Sequence, residues 1–237
     1  MIKCKKVMKS AVVACRTIAL ELELAIRTTG VAYPVHWVDS KLHLRPEKLR
    51  EQIQATIDAV SDTDTIIIAF GLCGNGLTGI KSDRSQLILP RAEDCISLLL
   101  GSQQRRSLLS KQGARYYFTK GWIESEHNLT DEYEYCISRF GNERGRKIMR
   151  SMLKHYRYLT LIDTLAYDPA EYRHKIEELA GRLGLDWNIV TGSQRFFIKL
   201  LLGPWDEEFI VTAPGEAVPP YALSELKPDC QTQPLFT

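Results

Sequence analysis

The sequence predicts an α/β protein, a three-layer, mostly parallel sheet flanked by helices and arranged as two Rossmann-like lobes. Three observations carry this. Short apolar runs alternate with amphipathic helical stretches along most of the 237-residue chain, the order expected of parallel sheets. The run at residues 65–70 (TIIIAF) is continuous, rich in β-branched residues and free of Gly and Pro, as in a strand buried on both faces. It stops at Gly71 in a loop that sets Gly71, Gly74, Gly76 and Gly79 around Cys73 and Asn75. Glycines let such a loop take left-handed turns and bring its N–H groups close to a bound group. Open α/β sheets bind ligands where strands end in this way.

Taken in order, residues 11–14 form a first strand that delivers Cys15 to its carboxyl end, and residues 17–27 (TIALELELAIR) follow as a helix of strong formers. Residues 31–38 read as an edge strand because Pro34 interrupts them. Pro46 opens an amphipathic helix to Val60, with Leu49, Ile53, Ile57 and Val60 on one face. After the glycine loop, residues 86–90 are a strand. Residues 91–100 are expected to be a helix whose first turn holds Glu93, Asp94 and Cys95, with Gly101 as its cap. Residues 116–119 are a strand that breaks at Gly121, leaving Trp122 and Glu124 in a loop. Residues 130–156 read as one charged helical connector. A second unit then follows: strand 158–163, helix 169–183, strand 187–190, helix 194–202 and strand 209–212. The linear division is an N-terminal lobe (1–125), the connector (126–156), a C-terminal lobe (157–215) and a Pro-rich tail (216–237). A weak echo, ISLLLGS at 96–102 against IKLLLGP at 198–204, hints that the lobes are related.

Composition narrows the function classes. A hydrophobic fraction of 44%, a charged fraction of 25% and a net charge of +2 are those of an ordinary globular chain, and give no reason to expect nucleic acid or an anionic membrane as partner. No stretch approaches the ~20 apolar residues of a membrane span. The lysine-rich start running into SAVVAC superficially resembles a lipoprotein signal, but its apolar part is shorter than the roughly 7 residues an h-region needs. Six cysteines in a chain this long are too sparse for a disulfide scaffold, so reduced thiols in a cytoplasm are the simpler expectation.

Three of those cysteines share a position. Cys15, Cys73 and Cys95 each fall just beyond a strand, and in a parallel sheet all strand carboxyl ends lie along one edge. Three soft thiolates converging there suit an iron–sulfur cluster with one open iron, of the 4Fe-4S type, or Zn with a water in the fourth position. Gly71, Gly74, Asn75, Gly76, Arg91, Asp94, Trp122 and Glu124 are the candidates to line the site, the two carboxylates by orienting ligands or moving a proton. Cys136 falls mid-helix, where packing is the expectation, and Cys230 lies in the tail. The plainer alternative is three buried cysteines acting as small hydrophobes. A second alternative is two-thiol proton transfer by Cys15 and Cys73, as in cofactor-independent amino-acid racemases, although Gly74-Asn75 stands where those enzymes have Thr-His. A third is a non-catalytic accessory protein that binds a small molecule or a partner.

The blocks AFGLCGNGLTG, LILPRAEDCISLLLGS, YYFTKGWIES, and LIDT with LGPWDEEFIVTAPGE, in that order, resemble the family known as domain of unknown function 1638. The resemblance implies an association with corrinoid-dependent methyltransferase systems, a corrinoid protein or methyltransferase as partner, and a corrinoid reached only through that partner. It points to the thiols of Cys15, Cys73 and Cys95. It leaves open whether the protein is an enzyme and whether it is a monomer or an oligomer.

Overall fold

The computed structural model describes residues 9–39, 45–73, 76–126 and 128–220. Gly74, Asn75 and the tail from 221, with Cys4 and Cys230, lie outside the described residues. The strands are β1 (Ser10–Cys15), β2 (Val35–Val38), β3 (Thr65–Ala69), β4 (Gln86–Pro90), β5 (Arg115–Phe118), β6 (Tyr158–Asp163), β7 (Asp186–Thr191) and β8 (Phe209–Thr212). The helices are α1 (Ala19–Thr29), α2 (Pro46–Ala59), α3 (Cys95–Leu100), α4 (Gln103–Lys111), α5 (Lys120–Ile123), α6 (Leu129–Phe140), α7 (Asn142–Met152), α8 (Ala170–Leu183) and α9 (Arg195–Leu202).

The chain is mixed α/β in two compact units. The described residues up to Cys95 and from Phe197 onward form one, and Ile96–Phe196 form the other. The units are therefore discontinuous in sequence, unlike a linear division into lobes, and the chain passes between them within α3 and α9.

The first unit holds a five-stranded sheet in the order β2-β1-β3-β4-β8. All its pairs are parallel except β4 with β8. β3 is its centre, and all five of its residues are buried, as a continuous Ile-rich run between two helical layers requires. β2 is an edge; the Pro34 carbonyl still accepts from Val12 N–H, but regular pairing begins at Val35, because proline has no N–H to give to a ladder. The antiparallel β8 is pinned by the chain that leads into it. Lys199 donates to both carboxylate oxygens of Asp206 at 2.9 and 2.7 Å and to Glu208, and Arg91 Nε donates to the Phe209 carbonyl at 3.0 Å.

The second unit holds the wholly parallel sheet β5-β6-β7. Its core gathers Leu159 and Leu161 of β6, Ile176, Leu179 and Leu183 of α8, and Tyr133, Cys136 and Met149 of α6 and α7. Cys136 thus packs in the core. The helical stretch expected over 130–156 is made of two helices that meet at Gly141, whose φ of +78° favours glycine. They close into a hairpin because Gly145 approaches α6 directly; a Cβ there would lie 2.7 Å from the Cys136 carbonyl oxygen. The helix α4, started by a Ser102 side chain that accepts from Arg105 N–H, is an element the apolar pattern does not reveal, since its residues are mostly polar.

Candidate functional site

Beyond the ends of β3 and β4 the chain keeps two segments side by side. Leu72 N–H donates to the Ala92 carbonyl at 2.8 Å and Cys73 N–H to that of Glu93 at 3.0 Å. The expected helix start at Arg91 is corrected by these bonds: residues 92–93 spend their carbonyls on the neighbouring loop, and α3 begins only at Cys95. Gly71 makes the pairing possible, because a Cβ there would sit 2.3 Å from the Asp94 backbone. The result brings Cys73 alongside the turn that carries Asp94 and Cys95.

The left-handed turns expected of the loop glycines are divided differently. Gly79 takes one, at φ +84°, whereas Gly71 and the buried Gly76 serve close approach, Gly76 beside Leu49 of α2. In residues 71–73 the left-handed residue is Cys73 itself, at φ +44°. For a residue with a Cβ that conformation costs roughly 1–2 kcal/mol, and such strain gathers at functional sites.

Cys15 reaches the same edge from the adjacent strand. β1 and β3 pair in register, Ala14 with Ala69, so Cys15 ends its strand next to the departure of the Cys73 loop. From β1 the chain crosses to β2 on one side and returns to β3 on the other. Right-handed crossovers then put α1 and α2 on opposite faces, and the carboxyl ends of β1 and β3 flank the point where strand order reverses. That is the crevice in which open α/β sheets hold ligands.

The electrostatics tie the residues together. Cys15 Sγ lies 3.0 Å from Thr17 Oγ1; burial pushes its thiol up, the Thr17 hydroxyl and N–H oppose this, and Asp39 just past β2 adds to it. Burial first, then Cys15 and the Asp94 carboxylate, push the Cys73 thiol up to about 12 against the opposing Gly71 N–H. Cys73 therefore lies within electrostatic reach of both Cys15 and Asp94. Both thiols are protonated at neutral pH unless a cation joins them. A bound soft metal favours thiolate over thiol and would reverse the shift. Among the described residues, no group of three or more His, Cys, Asp or Glu side chains is disposed to hold a single metal ion.

The remaining candidates divide. Cys95 is buried at the first position of α3. Arg91 runs along β8 through Phe209. Trp122 and Glu124 belong to the other unit, where the expected loop is the short helix α5 and its C-cap. There Glu124 accepts from the Tyr172 hydroxyl at 2.5 Å and stands 3.6 Å from Lys120 Nζ. A residue not anticipated is Glu21, fully buried in the first turn of α1. Its signal is periodicity: it falls three residues after Ile18 and four before Ala25, both buried, so the helical repeat puts a carboxylate on the apolar face.

Among the described residues no helix is long and apolar enough to cross a membrane. No curated protein and no solved structure matches the chain. One family model does match, over residues 37–201, a span that takes in Cys73 and Cys95 and begins after Cys15. The chain belongs to that family, described as protein of unknown function (DUF1638).

Proposed function

We propose that the carboxyl edge of the five-stranded sheet is a soft-metal centre held by Cys15, Cys73 and Cys95, with an iron–sulfur cluster as its preferred occupant. One observation carries the reading: Cys15 at the end of β1 lies close enough to Cys73, in the loop after the adjacent β3, to raise its thiol, at the point where strand order reverses. Three thiols around a single tetrahedral ion would stand nearly 4 Å apart, whereas those around a cluster spread to roughly 7 Å. A cluster with an open iron would supply Lewis-acid or electron-transfer chemistry. Asp94 beside Cys73 would accept hydrogen bonds or a proton from whatever occupies the open position, and Gly71 and Gly76 keep the backbone close.

The finer reading puts this centre in corrinoid-dependent methyl-group metabolism, as an enzyme or an accessory protein; it rests on the family resemblance alone. Two-thiol proton transfer is less well supported, since a thiol pushed up to about 12 is poorly placed to abstract a proton at neutral pH. The test is anaerobic purification with iron, zinc and acid-labile sulfide analysis. Wild-type chain is expected to carry about four irons with matching sulfide, or about one zinc, and Cys73→Ser to lose at least ~90% of it while keeping its circular dichroism. Metal retained in Cys73→Ser, or none taken up on reconstitution of the wild type, overturns the proposal.

A further inference from the structure

We propose that the exposed face of the α6–α7 hairpin is a docking surface for a protein that presents clustered Asp and Glu. The stretch 139–157 holds seven of the chain's 31 Lys and Arg but only one of its 29 Asp and Glu, Glu143. The remaining 24 cations and 28 acids leave the rest of the chain at −4, so the net +2 conceals a local excess of +6. Arg139, Arg144, Arg146, Lys147, Arg150 and Lys154 are all exposed. Among the described residues, the ion pairs of this unit engage Lys120, Arg157 and Arg182 and none of those six.

The surface is also prebuilt. Met149 and Gly145 bury the other side of α7 against α6, and the close approach at Gly145 fixes the helix on which the cations stand. At 100° per residue, Arg146, Arg150, Lys147 and Arg144 fall on one side of α7, opposite that buried stripe. Among the described residues these six like charges have no ion-pair partner, and they repel one another. An acidic partner would relieve that repulsion.

Composition decides between kinds of anion. The same hairpin exposes Tyr135, Phe140 and Met152, and the guanidinium of Arg144 lies 5.7 Å from the Phe140 ring. Arg with Tyr, Phe and Met is the mixture enriched at protein interfaces, whereas contacts to the phosphates of a duplex come from Arg, Lys, polar side chains and backbone N–H groups and make no use of an exposed Met or Phe. The acids of α6, Asp131, Glu132 and Glu134, are too few for a second copy to neutralise the excess, and Glu134 already pairs with Arg182 at 2.8 Å.

The test is a fluorescence-anisotropy titration of a labelled oligoglutamate peptide with the full chain at ~50 and ~300 mM salt, with a DNA duplex of equal charge and anionic phosphatidylserine vesicles as competitors. Binding is expected at the lower salt, weakened at least about tenfold in the triple variant Arg144→Gln/Arg146→Gln/Arg150→Gln and kept in the matching triple Lys variant. The exposed pair Lys111→Gln/Lys175→Gln should leave it unchanged. The proposal is overturned by no binding, by unchanged affinity in the Gln triple, by displacement at lower concentration by duplex or vesicles than by unlabelled peptide, or by self-association that the Gln triple abolishes.

Discussion

Both sheets carry loops beyond the carboxyl ends of their parallel strands, yet in only one does the strand order reverse there. In the five-stranded sheet the chain moves out to β2 and returns past β1 to β3, so its crossovers part at the carboxyl edge. In the three-stranded sheet β5, β6 and β7 follow one another in a single direction, and no such parting occurs. The groups placed after the strands differ accordingly. The first sheet leaves Cys15 and Cys73 as neutral thiols whose ionised forms are disfavoured, a preference that a bound soft cation would reverse. The second spends its polar groups internally: Lys120 is held by Glu124 at 3.6 Å and Glu171 at 3.7 Å, and the Tyr172 hydroxyl donates to Glu124. The same alternation of strand and helix thus yields a reversal of strand order in one unit and a satisfied surface in the other. What separates them is strand order.

The comparison can be broken most sharply in the cores. Ile67 at the centre of β3 is fully buried, and Ile67→Ala should cost about 2–5 kcal/mol in urea unfolding. Ile189 on the edge strand β7 is 40% exposed, and Ile189→Ala should cost less than about 1 kcal/mol. Equal costs would mean that the second sheet is as deeply covered as the first. Next come the glycines. Gly71→Ala drives a methyl into the Asp94 backbone and should destabilise by about 2–3 kcal/mol, whereas Gly181→Ala, within α8 and with open space around it, should stabilise by roughly 0.5–1 kcal/mol.

These contrasts also mark what could be read in advance. The strands were legible because an apolar run such as TIIIA or QLILP has only one way to be buried, and β4, β6 and β8 begin and end where the pattern does. The helix start at Arg91 was not, because Glu93 and Asp94 satisfy a dipole rule that the loop at 71–73 overrides by claiming the neighbouring carbonyls. Cys15 and Cys73 could be placed at one edge from their strands alone. That Trp122 and Glu124 sit in a different compact unit depends on how α3 and α9 carry the chain between units, which no local pattern encodes. Glu21 was hidden by its own chemistry, since a carboxylate in a first helical turn reads as a dipole partner before it reads as buried.

A smaller effect sharpens the electrostatic side of the contrast. Both site thiols are raised in the folded chain, so folding favours their neutral form. Their contribution to stability is complete below the ordinary thiol value of 9.0 and is lost as pH climbs toward the folded value, about 12 for Cys73. In metal-free protein, the Cys73 thiol should lower stability by about 1 kcal/mol between about pH 8 and pH 10, Cys15 should act in the same direction, and Cys73→Ser should remove its share. Thermal melts across that range check it. An unchanged slope in Cys73→Ser would place the alkaline loss elsewhere.

The smallest expected effect is the most specific to the site. Asp94 raises the Cys73 thiol through its charge, ranking behind burial and Cys15, so Asp94→Asn should lower that pKa while leaving burial in place. Because thiolate is the form that reacts with alkylating agents, Cys73 should be carboxymethylated faster in Asp94→Asn at about pH 8.5, by less than about tenfold, the span of one pKa unit. Peptide mapping assigns the label to Cys73. Glu124→Gln, in the other unit and paired with Tyr172 and Lys120, should leave that rate untouched while loosening the grip on Lys120. The pair also tests both carboxylates as parts of one site. If metal loading falls in Asp94→Asn alone, the centre belongs wholly to the five-stranded unit. Should Glu124→Gln instead slow or speed Cys73 labelling as Asp94→Asn does, the two carboxyl edges would be acting on one thiol, and the contrast between a reversed strand order and a satisfied surface would have to be given up.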